Sequence, residues 1–135
     1  NDSKATNADA TARALSCYES TYWILGGQSK EGGIGLLRKF FPKIRHAFLI
    51  GECSEEFADV LKGVVKFTNC GTIQNAIEAI KNDIPSIYND KVVILLSPAA
   101  ASFDQFENYE VRGDAFRLLI REKILNNPGL RSCLS

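Results

Sequence analysis

Three short runs of β-branched, aromatic and aliphatic residues constrain this chain more than anything else in it: residues 21–25 (TYWIL), 44–50 (IRHAFLI) and 91–96 (KVVILL). Each has strand length and composition, and each stops abruptly, at Gly26-Gly27, at Gly51 and at Ser97-Pro98. The last lacks polar alternation, as expected of a strand covered on both faces. Between the runs the apolar spacing changes to the helical period. Residues 7–18 carry alanines and a leucine at that spacing, with Asn7 or Asp9 as cap. Residues 34–41 begin as a short helix that should stop before Pro42, and 54–62 set Phe57, Val60 and Leu61 on one side. A third, short strand is expected over 64–67. Residues 72–82 form an amphipathic helix with Ile73, Ala76, Ile77 and Ile80 on one face. Residues 113–125 close the series with Phe116, Leu119, Ile120 and Lys123 in period.

Strands alternating with helices imply a mostly parallel sheet with helices on both sides. Right-handed crossovers then give an α/β, three-layer Rossmann-like domain. At 135 residues the chain suits a single domain, residues 1–135, able to bury one core without staples. Sixteen basic and sixteen acidic side chains cancel, which counts against nucleic acid as a partner. No apolar run reaches the roughly 20 residues needed to cross a bilayer, and the polar N-terminal segment has no signal-peptide order. The absence of Met suggests a fragment or a processed chain. Cys17, Cys53, Cys70 and Cys133 form no C-x-x-C pair, and the lone His46 has no second ligand beside it. Reduced thiols are therefore expected, and no bound metal.

In an open parallel sheet, ligands bind outside the carboxyl ends of the strands. Two loops leave such ends. GGQSKEGG follows TYWIL and offers glycine-freed N–H groups with one cation, Lys30. Such a loop can hold a carboxylate or phosphate, although it also suits a plain turn, and neither G-x-G-x-x-G nor a Walker pattern is present. The second loop, SPAAASFDQFENYEVRGDAF, has small residues that let backbone approach a ligand, and Ser102 adds a hydroxyl. Phe106 could form a wall with Tyr109, three residues on, but is read as a core side chain, and Asp104 as the cap of a short turn. The opening NDSKATN would pass, alone, for a linker and cap. From the residues by themselves the reading is a Rossmann-like domain with an anionic ligand.

Taken together, NDSKATN, ILGGQSK and LLSPAAASFDQFENYEVRGDAF resemble, in order and spacing, the signature blocks of the third domain of the Mur ligase family, in its D-glutamate-adding branch. The resemblance spans residues 1 to about 124. Its most specific part is S-x-D-Q-F-x-N-[FY]-x-x-R-G. GGQSKEGG departs from the acidic GGxDK or GGDGK form common in the family but keeps the lysine. The resemblance implies a cytoplasmic, ATP- and Mg2+-dependent enzyme that joins D-glutamate to UDP-N-acetylmuramoyl-L-alanine during peptidoglycan precursor synthesis. The acceptor carboxylate attacks the γ-phosphate to give an acyl phosphate, and the amine of D-glutamate then attacks the acyl carbon. It further implies that Thr6, Lys30, Ser102, Phe103 and Tyr109 hold D-glutamate, and that Asp2 and Lys4 meet the ATP or ADP. Two carboxylates call for a cation and several neutral donors, which this set supplies. Tyr109 stands where Phe is common, so its hydroxyl needs a polar outlet. Arg112 is expected to brace the second loop by pairing with Asp104 or Glu110 rather than to touch substrate.

The chain carries no G-K-[ST] phosphate loop, so the ATP-binding central and UDP-binding N-terminal domains are expected to lie outside it. No catalytic residue and no bound cofactor is expected in this domain alone, and a monomer is the default. A stand-alone module sensing an acidic metabolite, and a Mur ligase for another amino acid, are the rival readings.

Overall fold

The structure is a computed structural model that describes residues 8–18, 20–26, 35–52, 54–87, 92–96, 109–124 and 131–134. The described elements run in the order α1 (Ala8–Leu15), β1 (Thr21–Gly26), a 3-10 helix (Gly35–Lys43), β2 (Ile44–Ile50), α2 (Ser54–Leu61), β3 (Phe67–Gly71), α3 (Ile73–Ile87), β4 (Val93–Leu96), α4 (Tyr109–Lys123) and β5 (Arg131–Leu134). The strands form one sheet in the order β3-β2-β1-β4-β5, and every pairing is parallel. Parallel neighbours cannot be joined by tight turns, so each connection must cross a face of the sheet and bring a helix with it. This is the α/β architecture that the alternating pattern implies.

Side chains along a strand point to opposite faces in turn, and the core divides accordingly. Trp23, Leu25, Ala47, Leu49 and Leu95 point to one face, where they meet Leu15 of α1, Leu37 and Phe41 of the 3-10 helix, and Phe57 and Leu61 of α2. Tyr22, Ile24, Phe48, Ile50, Ile94 and Leu96 point to the other, against Ile73, Ala76, Ile77 and Ile80 of α3 and Phe116 of α4. All six residues of β1 and all four of β4 are buried. The apolar runs are therefore apolar because two layers cover them. Among the described residues no helix is long and apolar enough to cross a membrane.

Several boundaries differ from the sequence expectation, each for a local reason. β3 occupies Phe67–Gly71 rather than 64–67. Val64 lies in the turn after α2 and is 58% exposed, while Val65 is buried beneath that turn. α3 continues past Asn82 to Ile87, and Asp83 in that extension accepts a hydrogen bond from the Tyr22 hydroxyl of β1. α1 ends at Leu15 because Ser16 Oγ and Cys17 Sγ turn back to the Arg13 carbonyl, a local competitor of the helix. The 3-10 helix runs through Pro42 to Lys43 instead of stopping before the proline. α4 starts at Tyr109, not Gly113, which is buried inside it. β5 was not expected at all.

The packing yields a first prediction. Ile24 is fully buried in the central strand, so Ile24→Ala should lower the unfolding free energy by about 3 kcal/mol, as large-to-small core changes do. Urea denaturation measures this. A loss below about 1 kcal/mol would contradict the burial of β1.

Candidate functional site

The strand order contains one point where the chain reverses its direction of build. β1, β2 and β3 are added outward on one side, and the chain then crosses back to place β4 on the other side of β1. Connections leaving β1 and β4 diverge over opposite faces there, and such a switch point opens a crevice at the carboxyl ends of the two strands. Ile24 pairs with Leu96, the last residue of β4, and β1 runs two residues further to Gly26. The loop bearing Lys30 and the loop bearing Ser102 thus leave from neighbouring strands at one rim. The sequence had singled out both loops without knowing that their roots adjoin.

Glycine ends three adjacent strands along this rim. Gly26, Gly51 and Gly71 have φ of 129°, 72° and 83°, in the left-handed range that a side chain disfavours. Gly26 pairs with Ile50, and Ile50 in turn with Gly71. Gly51 N–H donates to the Gly71 carbonyl at 3.0 Å, so the second and third strands leave the sheet tied together.

Two helix starts on the same rim make local hydrogen bonds. Ser54 Oγ donates to the Gly51 carbonyl at 2.8 Å at the head of α2. Before α3, Thr72 Oγ1 accepts from Asn75 N–H at 3.1 Å, while Asn75 Nδ2 donates to the Cys70 carbonyl at 2.9 Å. This is a capped N-terminus. The switch point itself lies between β1 and β4.

Of the residues expected to form the site, Asp2, Lys4, Thr6, Lys30, Ser102 and Phe103 lie outside the described residues. Tyr109 is the first residue of α4; its backbone is described and its side chain is not. Arg112 follows in the same first turn and is buried, with 1% of its surface exposed. A buried guanidinium is held by packing and polar partners. Glu110, one of its two expected partners, is exposed, and Asp104 lies outside the described residues.

Toward the opposite, amino-terminal end of the sheet sits a polar cluster that the sequence did not single out. The Tyr22 hydroxyl donates to Asp83. His46 stacks on Phe48, with ring centroids 4.6 Å apart, and its Nε2 lies 2.8 Å from Thr68 Oγ1. Only the period-2 parity of residues 22, 46 and 48 could have hinted that these rings share a face. Burial holds the His46 pKa below its ordinary value of 6.5, and Lys66 adds to this, while Asp83 opposes both. Among the thiols, Cys17 is exposed and Cys70 is half-buried, both free, and burial pushes the Cys70 pKa up.

The comparison with known proteins gives the rim its context. No family model matches the chain. A protein of Paramagnetospirillum magneticum described as UDP-N-acetylmuramoylalanine–D-glutamate ligase is 57% identical over 121 residues, 90% of this chain and 26% of that protein. The chain is homologous to a segment of the UDP-N-acetylmuramoylalanine–D-glutamate ligases. Proteins of the same description from Nitrobacter winogradskyi and Mesorhizobium japonicum are 53% and 54% identical over 121 and 117 residues, again 26% and 25% of their lengths. The chain thus spans about a quarter of the ligases it matches.

The His46 cluster generates a pH prediction. With a folded pKa below 6.5, the unfolded chain binds the additional proton, so acid favours unfolding. The stabilising contribution is present above 6.5 and is lost as the pH falls through the depressed folded value. Denaturant melts between about pH 7.5 and about pH 5 should show a steeper loss of stability in the native chain than in His46→Gln. Parallel curves would mean that the ring titrates as it does in the unfolded chain.

Proposed function

We propose that this chain is the amino-acid-binding domain of an ATP-dependent ligase that adds D-glutamate to UDP-N-acetylmuramoyl-L-alanine, in the cytoplasm, during peptidoglycan precursor synthesis. The observation that carries the proposal is identity of 57% across 90% of the chain with a protein of that description. The topology supports it, since the loops bearing Lys30 and Ser102 are rooted on neighbouring strands at the switch point. Rim loops of this composition suit a small dianionic amino acid. Lys30 pairs with one carboxylate of D-glutamate, and Thr6, Ser102 and backbone N–H groups serve the other. Phe103 and Tyr109 wall the amino acid in. Asp2 and Lys4 approach the ADP ribose and the phosphates.

In this reading the domain orients rather than activates. It holds the D-glutamate amine in line with an acyl phosphate formed by ATP on the partner domains, where proximity and alignment do most of the work. The phosphoryl step needs Mg2+ and cations to spread charge. The central domain is expected to supply the ligands for it. Closing this domain on the central one brings the amine to the acyl carbon.

Two tests follow. In the full-length ligase carrying this sequence, Lys30→Ala should raise KM for D-glutamate at least about tenfold, the worth of one charge-assisted hydrogen bond, while KM for ATP moves less than about twofold. An equal rise in both would count against the assignment of Lys30 to the amino acid. The 135-residue chain by itself should release no ADP from ATP, UDP-N-acetylmuramoyl-L-alanine and D-glutamate. Turnover by the pure chain would overturn the orienting role.

A further inference from the structure

The formal charge of zero conceals a segregation. Residues 38–46 carry Arg38, Lys39, Lys43 and Arg45 and no acidic side chain, while residues 52–59 carry Glu52, Glu55, Glu56 and Asp59 and no basic one. The fold draws these groups toward opposite ends of the sheet. Glu52 lies just past the carboxyl end of β2, and Glu55 and Glu56 lie in the first turn of α2. Lys43 and Arg45 flank the amino-terminal start of β2, and Arg38 and Lys39 lie on the 3-10 helix that leads into it. Helix α2 runs back to the same end, where Lys62 follows it. Lys66 is then brought beside β2, because its carbonyl accepts from Ala47 N–H at 2.9 Å. Arg38, Lys39, Arg45, Lys62 and Lys66 are all exposed.

The connection from α2 to β3 adds an apolar tip to this basic face. Gly63 is left-handed, with φ of 80° and open space around it, and the N–H groups of Val64 and Val65 both donate to the Leu61 carbonyl at 2.9 Å. In a helix end closed by glycine, an apolar residue beyond the glycine covers the last turn. Val65 does so, buried against the core. Val64 has no such task. It is the most exposed large apolar side chain among the described residues, held outward by a hydrogen-bonded turn with Lys62 before it and Lys66 after it. A cation after a helix end complements the helix dipole, which accounts for Lys62. It accounts neither for Lys66 across the turn nor for a valine facing water between the two.

We propose that this end of the sheet rests on an anionic phospholipid surface, with Val64 entering the headgroup region and the surrounding lysines and arginines meeting lipid phosphates. Cations spread over the 3-10 helix, β2 and the α2–β3 turn match an extended layer of negative charge. An exposed valine among them gains from leaving water only where the partner offers an apolar layer, which a soluble acidic protein surface does not require. The acidic start of α2 points away from such a surface, so the domain binds in one orientation. The carboxyl rim is left facing solution, and the proposal does not depend on which ligand the rim holds.

The test sediments the full-length ligase with vesicles of phosphatidylcholine, with and without phosphatidylglycerol, and follows the melting temperature of each variant. The ligase should sediment with the phosphatidylglycerol vesicles only, and be released as salt rises from about 0.05 M to about 0.5 M. Lys62→Ala combined with Lys66→Ala should weaken the partition at least about tenfold, and Val64→Ser about threefold or more. Arg117→Glu on α4 changes the net charge as much as the double lysine variant does, and should stay within about twofold of the parent. All four side chains are exposed, so the melting temperatures should hold. The proposal is overturned if neutral vesicles bind as well, if neither kind binds, or if the double lysine variant binds no more weakly than Arg117→Glu. It is also overturned if Val64→Ser binds as the parent does, or if immobilised polyglutamate captures the ligase as strongly as the vesicles do. Either result would give the face to an acidic protein instead.

Discussion

The constraint on which the rest of this structure depends is the double-sided burial of β1. It is flanked by β2 and β4 and covered by helices on both faces, so each of its six residues is buried. A strand so enclosed must be apolar on both faces, and its backbone groups must be paired on both edges, since an unpaired buried amide is costly. The parallel ladders on either side meet that second demand. They also dictate the layers, because parallel neighbours require crossovers and crossovers bring helices. Sequence, sheet order and three-layer packing are thus consequences of one another.

The same arrangement decides where chemistry can occur. Every described strand points its carboxyl end to one rim, and among the described strands successive connections part company at the gap between β1 and β4. Elsewhere among the described residues of the rim, Gly51 bonds Gly71, Ser54 bonds the Gly51 carbonyl, and Thr72 caps α3. Homology to a quarter-length segment of D-glutamate ligases gives the crevice its proposed occupant. Arg112, in the first turn of α4, is buried.

The opposite end of the sheet serves stability. Tyr22, His46, Phe48 and Asp83 connect β1, β2 and α3 through ring contacts and a hydroxyl-to-carboxylate hydrogen bond. Because the ring of His46 is half-buried, acid acts there, away from the rim assigned to substrate.

The sequence by itself determined the fold class and the position of the strands that lie deepest. β1, β2 and β4 were legible because burial on both faces leaves an unbroken apolar signature, and the helices facing them because one face must match. Edge elements left no such trace. β3 spells FTNCG and is largely exposed, so the apolar pair Val64-Val65 drew the expectation to the wrong place. β5, paired on one side only among the described residues, has a polar residue at two of its four positions. The sequence also marked the two loops as chemical, through glycine, lysine and hydroxyl content. What only the tertiary structure decided was that those loops are rooted side by side, that Asp83 belongs with Tyr22, and that Lys62 and Lys66 share the end of the sheet where Lys43 and Arg45 lie. Each of these depends on a partner distant in sequence. Local composition records what a residue needs from its surroundings, whereas the partner that meets the need is chosen by the order in which the strands assemble.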